Sequence, residues 1–434
     1  MKNLFYALFL GIITTTLFNG CTKEENLPEA CNPNFRPIVA LHGFLASGDT
    51  YAQQFQRFNT NGYCWDKLYV YDWNTTAFGA DVSANLDAFI DQVLAATGAT
   101  QVDLMGHSAG GGNCYTYLSD PARAAKVAHY VHIGSGGQSA PAGPAGSPVP
   151  TLNISSIDDL VGGETTIEGA TNLYWDGLDH YQTATATSPF LAMYGFFNNN
   201  TPPLTVFISN EDNIEIRGKA LTLGENQAMN GASVKIYLVN ADTGERLNEE
   251  PLFDLTTNAQ GLWGPVNIPR DRPIELMVRG TGATDRTIHY YREGFKHSDH
   301  FVYLRTLPPP FSLAGIFLGS LPSNDNQTVM AVFSANQAVI DTRDNLTVNG
   351  TLISTPDIAP ADKTAIAFFL YDDGDSTTEL TPVGSFGGFP FLAGVDMFFP
   401  TEPSGSINLQ YNGRTMNVKN WKSATDGIIV AVFN

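Results

Sequence analysis

Val102-Asp103-Leu104-Met105-Gly106-His107-Ser108-Ala109-Gly110-Gly111-Gly112 is the stretch whose reading decides the fold. Its first four residues have strand periodicity and run directly into a G-x-S-x-G pentapeptide, and the residues from Asn113 to Leu118 read as helix. A strand that turns this sharply into a helix forces the residue at the corner into a strained backbone conformation. Only very small neighbours, here Gly106 and Gly110, let the adjoining backbone pass. Ser108 is thereby presented at the end of the strand, with His107 beside it as a structural member of the turn.

A serine hydroxyl is a weak nucleophile unless a base takes its proton and a third group orients that base. The turn therefore demands an acid and then a histidine downstream, together with a second backbone amide from an earlier strand-to-helix loop. The loop requirement is met by Leu41-His42-Gly43-Phe44-Leu45, so the backbone amides of Phe44 and Ala109 are the expected oxyanion donors. The acid falls in Ser155-Ser156-Ile157-Asp158-Asp159-Leu160, where Asp158 is the expected residue and Asp159 the reserve. His180, in Asp179-His180-Tyr181, is the only histidine between Asp158 and the change of character near residue 200. His129 and His132 precede the acid and read as packed strand residues. His289, His297 and His300 lie in a different region, and their spacing is weak evidence for a metal, so no metal and no cofactor are expected.

Outward from the turn, short apolar runs alternate with amphipathic stretches from Phe35 to about Asn200. Strands are expected at Ile38–Leu41, Leu68–Asp72, from Val102 up to Ser108, Val127–Ile133 and Val149–Ile154, and helices over Ser47–Phe58 and Val82–Ala96. Such alternation predicts an α/β fold, a mostly parallel sheet covered by helices on both faces. Gly134 to Pro150 reads as loop. After Pro202-Pro203 the helical period fades and strand periodicity takes over, with a second break at Pro308-Pro309-Pro310. The expected organisation is a catalytic domain over 35–200 and two all-β, sandwich-like modules over 204–307 and 311–434. Asp372-Asp373-Gly374-Asp375, with Glu379 beyond, reads as a hairpin turn, with calcium binding as the alternative. The phenylalanines Phe386, Phe389, Phe391, Phe398 and Phe399 can serve either as a polymer-binding face or as core.

Residues 1–21 carry Lys2, an apolar stretch from Leu4 to Phe18 and a closing Gly20-Cys21, the pattern of an export signal. Leu17-Phe18-Asn19-Gly20-Cys21 resembles a bacterial lipobox, which implies lipid attachment at Cys21, a polar tether over 22–34 and an outer-membrane or cell-surface location. Cys31 and Cys64 stand before two expected strands and can close a disulfide. Cys114 falls in the helix behind Ser108 as a small buried thiol. A formal net charge of -20 repels phosphate backbones and argues against nucleic-acid partners.

With the His42-Gly43 loop, the Gly106 to Gly110 elbow, the Asp158-Asp159 segment and the His180 loop in this order, residues 35 to about 200 resemble the α/β-hydrolase superfamily, in particular its compact secreted bacterial and archaeal lipases. The resemblance implies a serine that attacks an ester carbonyl, a histidine that acts as base and then acid, and an acyl-enzyme hydrolysed by water, roles that fall on Ser108, His180 and Asp158. It implies acyl-ester substrates, acyl glycerols foremost. The competing readings are a polysaccharide acyl esterase or polyester depolymerase, and a non-catalytic surface binding protein on a hydrolase scaffold. A depolymerase of this plan is expected to keep small-ester activity when residues 204–434 are removed. No amphipathic lid helix is expected between Gly134 and Pro150, and the apolar stretch Ser188–Phe197 reads as a helix packed on the sheet, with an acyl-pocket wall as the alternative.

Overall fold

The polypeptide of the computed structural model is described over residues 30–434, apart from 384, 385 and 387; the expected export signal and the expected lipid-attachment residue Cys21 lie outside the described residues. The first half is built on six parallel strands: β1 (Ile38–Leu41), β2 (Leu68–Tyr71), β3 (Val102–His107), β4 (Val127–Ile133), β5 (Thr151–Ser156) and β6 (Thr171–Trp175). Their order across the sheet is β2-β1-β3-β4-β5-β6, which puts the strand leading to Ser108 near the centre. β1, β3 and β5 are buried along their whole length, as a sheet covered on both faces requires. The covering helices are α1 (Ala52–Thr60), α2 (Ser83–Thr97), α3 (Ala109–Leu118), α4 (Pro121–Ala124), α5 (Gln182–Thr185) and α6 (Thr187–Phe197).

Two details differ from the sequence expectation. β6 has no counterpart in it, because this half-exposed edge strand of Thr, Asn, Leu, Tyr and Trp lacks the continuous apolar run of a buried parallel strand. The helix expected from Ser47 begins as a tight turn, Gly48–Tyr51, and becomes α-helical only at Ala52. The packed-helix reading of Ser188–Phe197 holds: Phe190, Met193, Tyr194 and Phe197 are buried, and Phe58 meets Phe190 edge-on at 5.2 Å. Cys31 and Cys64 are disulfide-bonded with their Cα atoms 4.9 Å apart, tying the entry of β1 to that of β2. Cys114 is buried, and burial drives its thiol pKa up, consistent with an inert core thiol.

The β-rich half is less divisible than its sequence suggests. An eight-stranded sheet runs in the order Leu392–Asp396, Ala367–Tyr371, Met330–Ser334, Ile428–Phe433, Ile288–Arg292, Ile274–Arg279, Ser233–Leu238, Phe253–Thr256. Four of these strands precede the Pro308-Pro309-Pro310 break and four follow it, and Ile288–Arg292 pairs in parallel with Ile428–Phe433 across the join. Alternation then serves two cores. Ile428 and Val430 face one that includes Ile214 and Ile216, while Ile429, Ala431 and Phe433 face another that includes Leu409 and Val418. Nor is the first half independent: Leu221, Phe301 and Tyr303 belong to the same core as Ile38, Tyr51 and Phe55.

Candidate active site

Ser108 sits at the corner between β3 and α3 with φ +53° and ψ -125°, a conformation that non-glycine residues rarely adopt. The glycines around it are required by contact. A Cβ on Gly106 would lie 2.7 Å from the Gly110 carbonyl oxygen, and one on Gly110 would lie 2.6 Å from the carbonyl oxygens of Leu41 and His42. Gly43 is also tight, since a Cβ there would stand 3.1 Å from that of Ser108. The loop after β1 therefore lies directly against the serine. Ala109 is the first residue of α3, and its N–H has no intrahelical acceptor. Phe44, Ser108 and His180 all line one cavity of about 660 Å³.

His180 Nδ1 lies 2.8 Å from Asp159 Oδ1 and 2.9 Å from Oδ2. The carboxylate beside the histidine is thus that of Asp159, not the expected Asp158. Asp158 is exposed, and its Oδ2 accepts the Gly177 N–H at 2.5 Å. Asp158 lies in the turn that follows β5 and Asp159 just past it, where the Asp159 N–H returns to the Ser156 carbonyl at 3.2 Å, so the two side chains leave the turn in different directions and only Asp159 faces the base. Asp159 Oδ1 also accepts the amides of Val161 and Gly162 at 2.9 and 2.8 Å. Burial pushes its pKa up, but the hydrogen bond and charge of His180, with those two amides, outweigh it and hold the group below the ordinary carboxylate range. The one sequence signal for this residue is the Gly162-Gly163 pair, which lets the chain fold back over the preceding carboxylate: a Cβ on Gly162 would lie 2.8 Å from Asp159 Oδ2.

With Nδ1 engaged by Asp159, His180 keeps Nε2 for a proton-transfer partner. Among the described residues no hydrogen bond joins Ser108 Oγ to His180, a contact that often tightens only around substrate. His107 Nε2 donates to the His180 carbonyl oxygen at 2.9 Å, fixing the histidine loop. Burial, reinforced by the neighbouring His180, lowers the His107 pKa to about 3, so it remains neutral. The other histidines are structural: His129 joins Asp103 at 2.8 Å, His132 joins Tyr130 at 2.8 Å, and His289 joins Glu275 at 2.6 Å. His297 and His300 lie against Trp65 of the first half.

The β-rich half supplies support that local sequence patterns do not disclose. Asn226 Nδ2 donates to the carbonyl oxygens of Ala46 and Trp73, both at 2.9 Å. The Gly224 carbonyl accepts from Thr75 Oγ1 at 2.6 Å, and that oxygen in turn accepts the Leu45 N–H at 3.1 Å. Lys219 pairs with Asp72 at 2.5 Å, and Asp72 holds the Gly48 N–H at 2.9 Å. The loop carrying Phe44 is therefore clamped by the hairpin around residues 219–226. The His180 loop is held from the other side, where Asp179 Oδ2 accepts from the Ala338 amide at 3.0 Å and from Arg343 at 3.1 Å. Phe391 stacks on the His180 ring at 5.7 Å. The cavity's apolar wall comes from Leu45, Leu223, Phe333, Phe391, Val430 and Val432, five of which belong to the β-rich half. Of the phenylalanines weighed as a polymer-binding face, Phe386 and Phe399 are buried, and Phe389 packs on Phe317 at 4.3 Å.

Residues 35–113 match the sequence model of the class 2 lipases and residues 212–309 that of the lipase C-terminal domain, while 322–434 match a further model described as a C-terminal domain. Among solved structures the chain is similar to an esterase from Rhodococcus, at 18% identity over 40% of this chain and 94% of that one, with a TM-score of 0.32. It is also similar to a Bacillus licheniformis lipase in mature form, at 16% identity over 38% and 94%, with a TM-score of 0.32. The six-stranded parallel sheet with its serine corner is an α/β-hydrolase fold, and the segments 35–113 and 212–309 of the chain are similar in sequence to a class 2 lipase domain and a lipase C-terminal domain.

Proposed function

We propose that the protein is an exported serine hydrolase that cleaves carboxylic esters, acyl glycerols foremost, through a Ser108-His180-Asp159 triad. The observation that carries this reading is the buried His180–Asp159 pair opening onto the same cavity as the strained Ser108. In this mechanism His180 Nε2 takes the Ser108 proton as Oγ attacks the ester carbonyl carbon. The carbonyl electron pair moves onto oxygen, where the amides of Phe44 and Ala109 stabilise it, each by about 3 to 4 kcal/mol. Collapse of the tetrahedral adduct expels the alcohol, protonated by His180, and water repeats the sequence to release the acid. Asp159 stays ionised and stabilises the imidazolium.

The apolar cavity wall supports an acyl chain as the occupant. Phe78, 74% exposed, adjoins Phe44 at 5.8 Å, leaving an apolar side chain open to solvent beside a cavity-lining residue, as contact with a lipid substrate favours. Export, with lipid attachment at Cys21, rests on the N-terminal sequence. Mass spectrometry of the protein from the membrane fraction tests it, through the presence or absence of a diacylglyceryl-modified Cys21.

The activity is tested by hydrolysis of p-nitrophenyl esters from acetyl to palmitoyl, comparing protein lacking residues 1–21 with its Ser108→Ala variant. Activity that disappears with the hydroxyl is expected, with a preference for medium or long chains. A folded protein that cleaves no ester in the series overturns the proposal and favours the binding-protein reading.

A further inference from the structure

Remote from the serine in the chain, three carboxylates converge at the end of the eight-stranded sheet. The strands Ala367–Tyr371 and Leu392–Asp396 pair in parallel with Tyr371 opposite Asp396, so the acidic segment after Tyr371 begins a crossover and is not the hairpin turn its composition suggests. This places Asp372 and Asp373, which follow one strand, beside Asp396, which ends the other. One carboxylate oxygen of each lies within 4.8 Å of the others. Asp372 and Asp396 are only 3% and 1% exposed, whereas Asp373 faces solvent.

The buried members lack a countercharge. Among the described residues the ion pairs involve other carboxylates, and no lysine, arginine or histidine pairs with any of these three. Asp396 accepts the amides of Asp373 and Glu379, each at 3.1 Å. Asp372 Oδ2 accepts the Gly374 amide at 3.1 Å and a long contact of 3.5 Å from Gln327. Among the described residues Asp372 Oδ1 is buried and has no hydrogen-bond partner. A buried carboxylate oxygen with nothing to accept carries its full desolvation cost, and a second buried carboxylate nearby adds repulsion. One bound cation removes both penalties.

We propose that Asp372, Asp373 and Asp396 form a calcium site that ties the start of the 372–391 crossover to the end of the strand it leads into. An all-oxygen, carboxylate-rich donor set selects a hard cation. Oxygens around one calcium ion, at about 2.3 to 2.6 Å from it, span up to about 4.6 to 5.2 Å, so three oxygens within 4.8 Å of one another can share one ion. Calcium takes several carboxylates in a flexible shell, whereas magnesium demands a near-ideal octahedron and keeps most of its water, and the open side at Asp373 leaves room for water to complete the calcium shell.

The test uses the protein lacking residues 1–21, stripped with EDTA and then titrated with calcium chloride by isothermal titration calorimetry and thermal melting. One equivalent of calcium is expected to bind, and the melting temperature to rise by about 3 to 8 °C at a hundredfold excess over the dissociation constant. Asp373→Asn alters the exposed ligand only. It is expected to melt in EDTA within about 2 °C of the unaltered protein and to bind calcium at least tenfold more weakly. Asp372→Asn removes the buried orphan charge, so its melting temperature in EDTA is expected to match or exceed that of the unaltered protein while its calcium response is lost. Absence of calcium binding in the unaltered protein, or an undiminished response in Asp373→Asn, overturns the assignment.

Discussion

Replacing Asp159 by asparagine separates the two adjacent carboxylates and tests the chemistry at its centre. Asp159 uses its oxygens differently: Oδ1 accepts the amides of Val161 and Gly162, and both oxygens face His180 Nδ1. In Asp159→Asn the amide oxygen can stay on Val161 and Gly162, which preserves the turn, so the NH2 group takes the Oδ2 position. That group donates, and His180 Nδ1 must then accept. The imidazole proton moves to Nε2, the nitrogen that has to be free to take a proton from Ser108. The wrong tautomer and the loss of charge behind the imidazolium together are expected to lower kcat by about 10³ to 10⁴, or about 4 to 5.5 kcal/mol. Asp158→Asn keeps an oxygen for the Gly177 amide on an exposed surface and should leave kcat within about threefold. Both variants are assayed on a soluble p-nitrophenyl ester, with the melting temperature as a check on folding. If folded Asp159→Asn retains more than a tenth of the activity, or if Asp158→Asn loses as much as its neighbour, the assignment of the acid is wrong.

Three further outcomes follow from the packing. Asn226→Ala releases the carbonyls of Ala46 and Trp73 and is expected to cut kcat/KM by about ten- to hundredfold on short esters, mostly through kcat; a change confined to KM would place its effect on binding instead. Replacing Cys31 and Cys64 by serine opens a link across 33 residues and should cost about 4 kcal/mol in urea unfolding, and a loss under 1 kcal/mol would contradict the chain-entropy account. Burial holds the folded-state pKa of His107 down at about 3 and of His132 at about 4, against about 6.5 when unfolded. The unfolded chain therefore takes up protons first: the stability from these neutral histidines is complete above pH 6.5 and falls as the pH drops toward 4, by up to about 1.4 kcal/mol per pH unit each, and a flat urea midpoint across that window would refute it.

A fourth concerns the division into modules. A chain ending at residue 203 would lose Leu221, Phe301 and Tyr303 from the first core and the clamps on the Phe44 and His180 loops. It is expected to be insoluble or inactive even on acetyl esters. Retained small-ester activity, the outcome expected for a depolymerase with separable modules, would show that the clamps are dispensable.

The sequence by itself determined the serine corner, because the steric demand at Gly106, Ser108 and Gly110 lies within five consecutive residues and admits few other chain geometries. The strict strand-helix alternation likewise dictated the parallel sheet, and the lone histidine after the acid segment marked His180. These are local or ordinal properties, and a linear string carries them. The choice between Asp158 and Asp159 was not of this kind, since either has the right chemistry and only the direction of the side chain toward His180 distinguishes them. The shared eight-stranded sheet was hidden for a similar reason: each strand shows its own alternation, but partnership between residues 288–292 and 428–432 is a long-range pairing that no periodicity announces. The same holds for Asn226, Arg343 and Phe391, which reach the site from distant sequence. Only the tertiary structure decided that the β-rich half completes the catalytic half, because burial of a shared core and satisfaction of buried loop carbonyls depend on contacts made after the chain has folded.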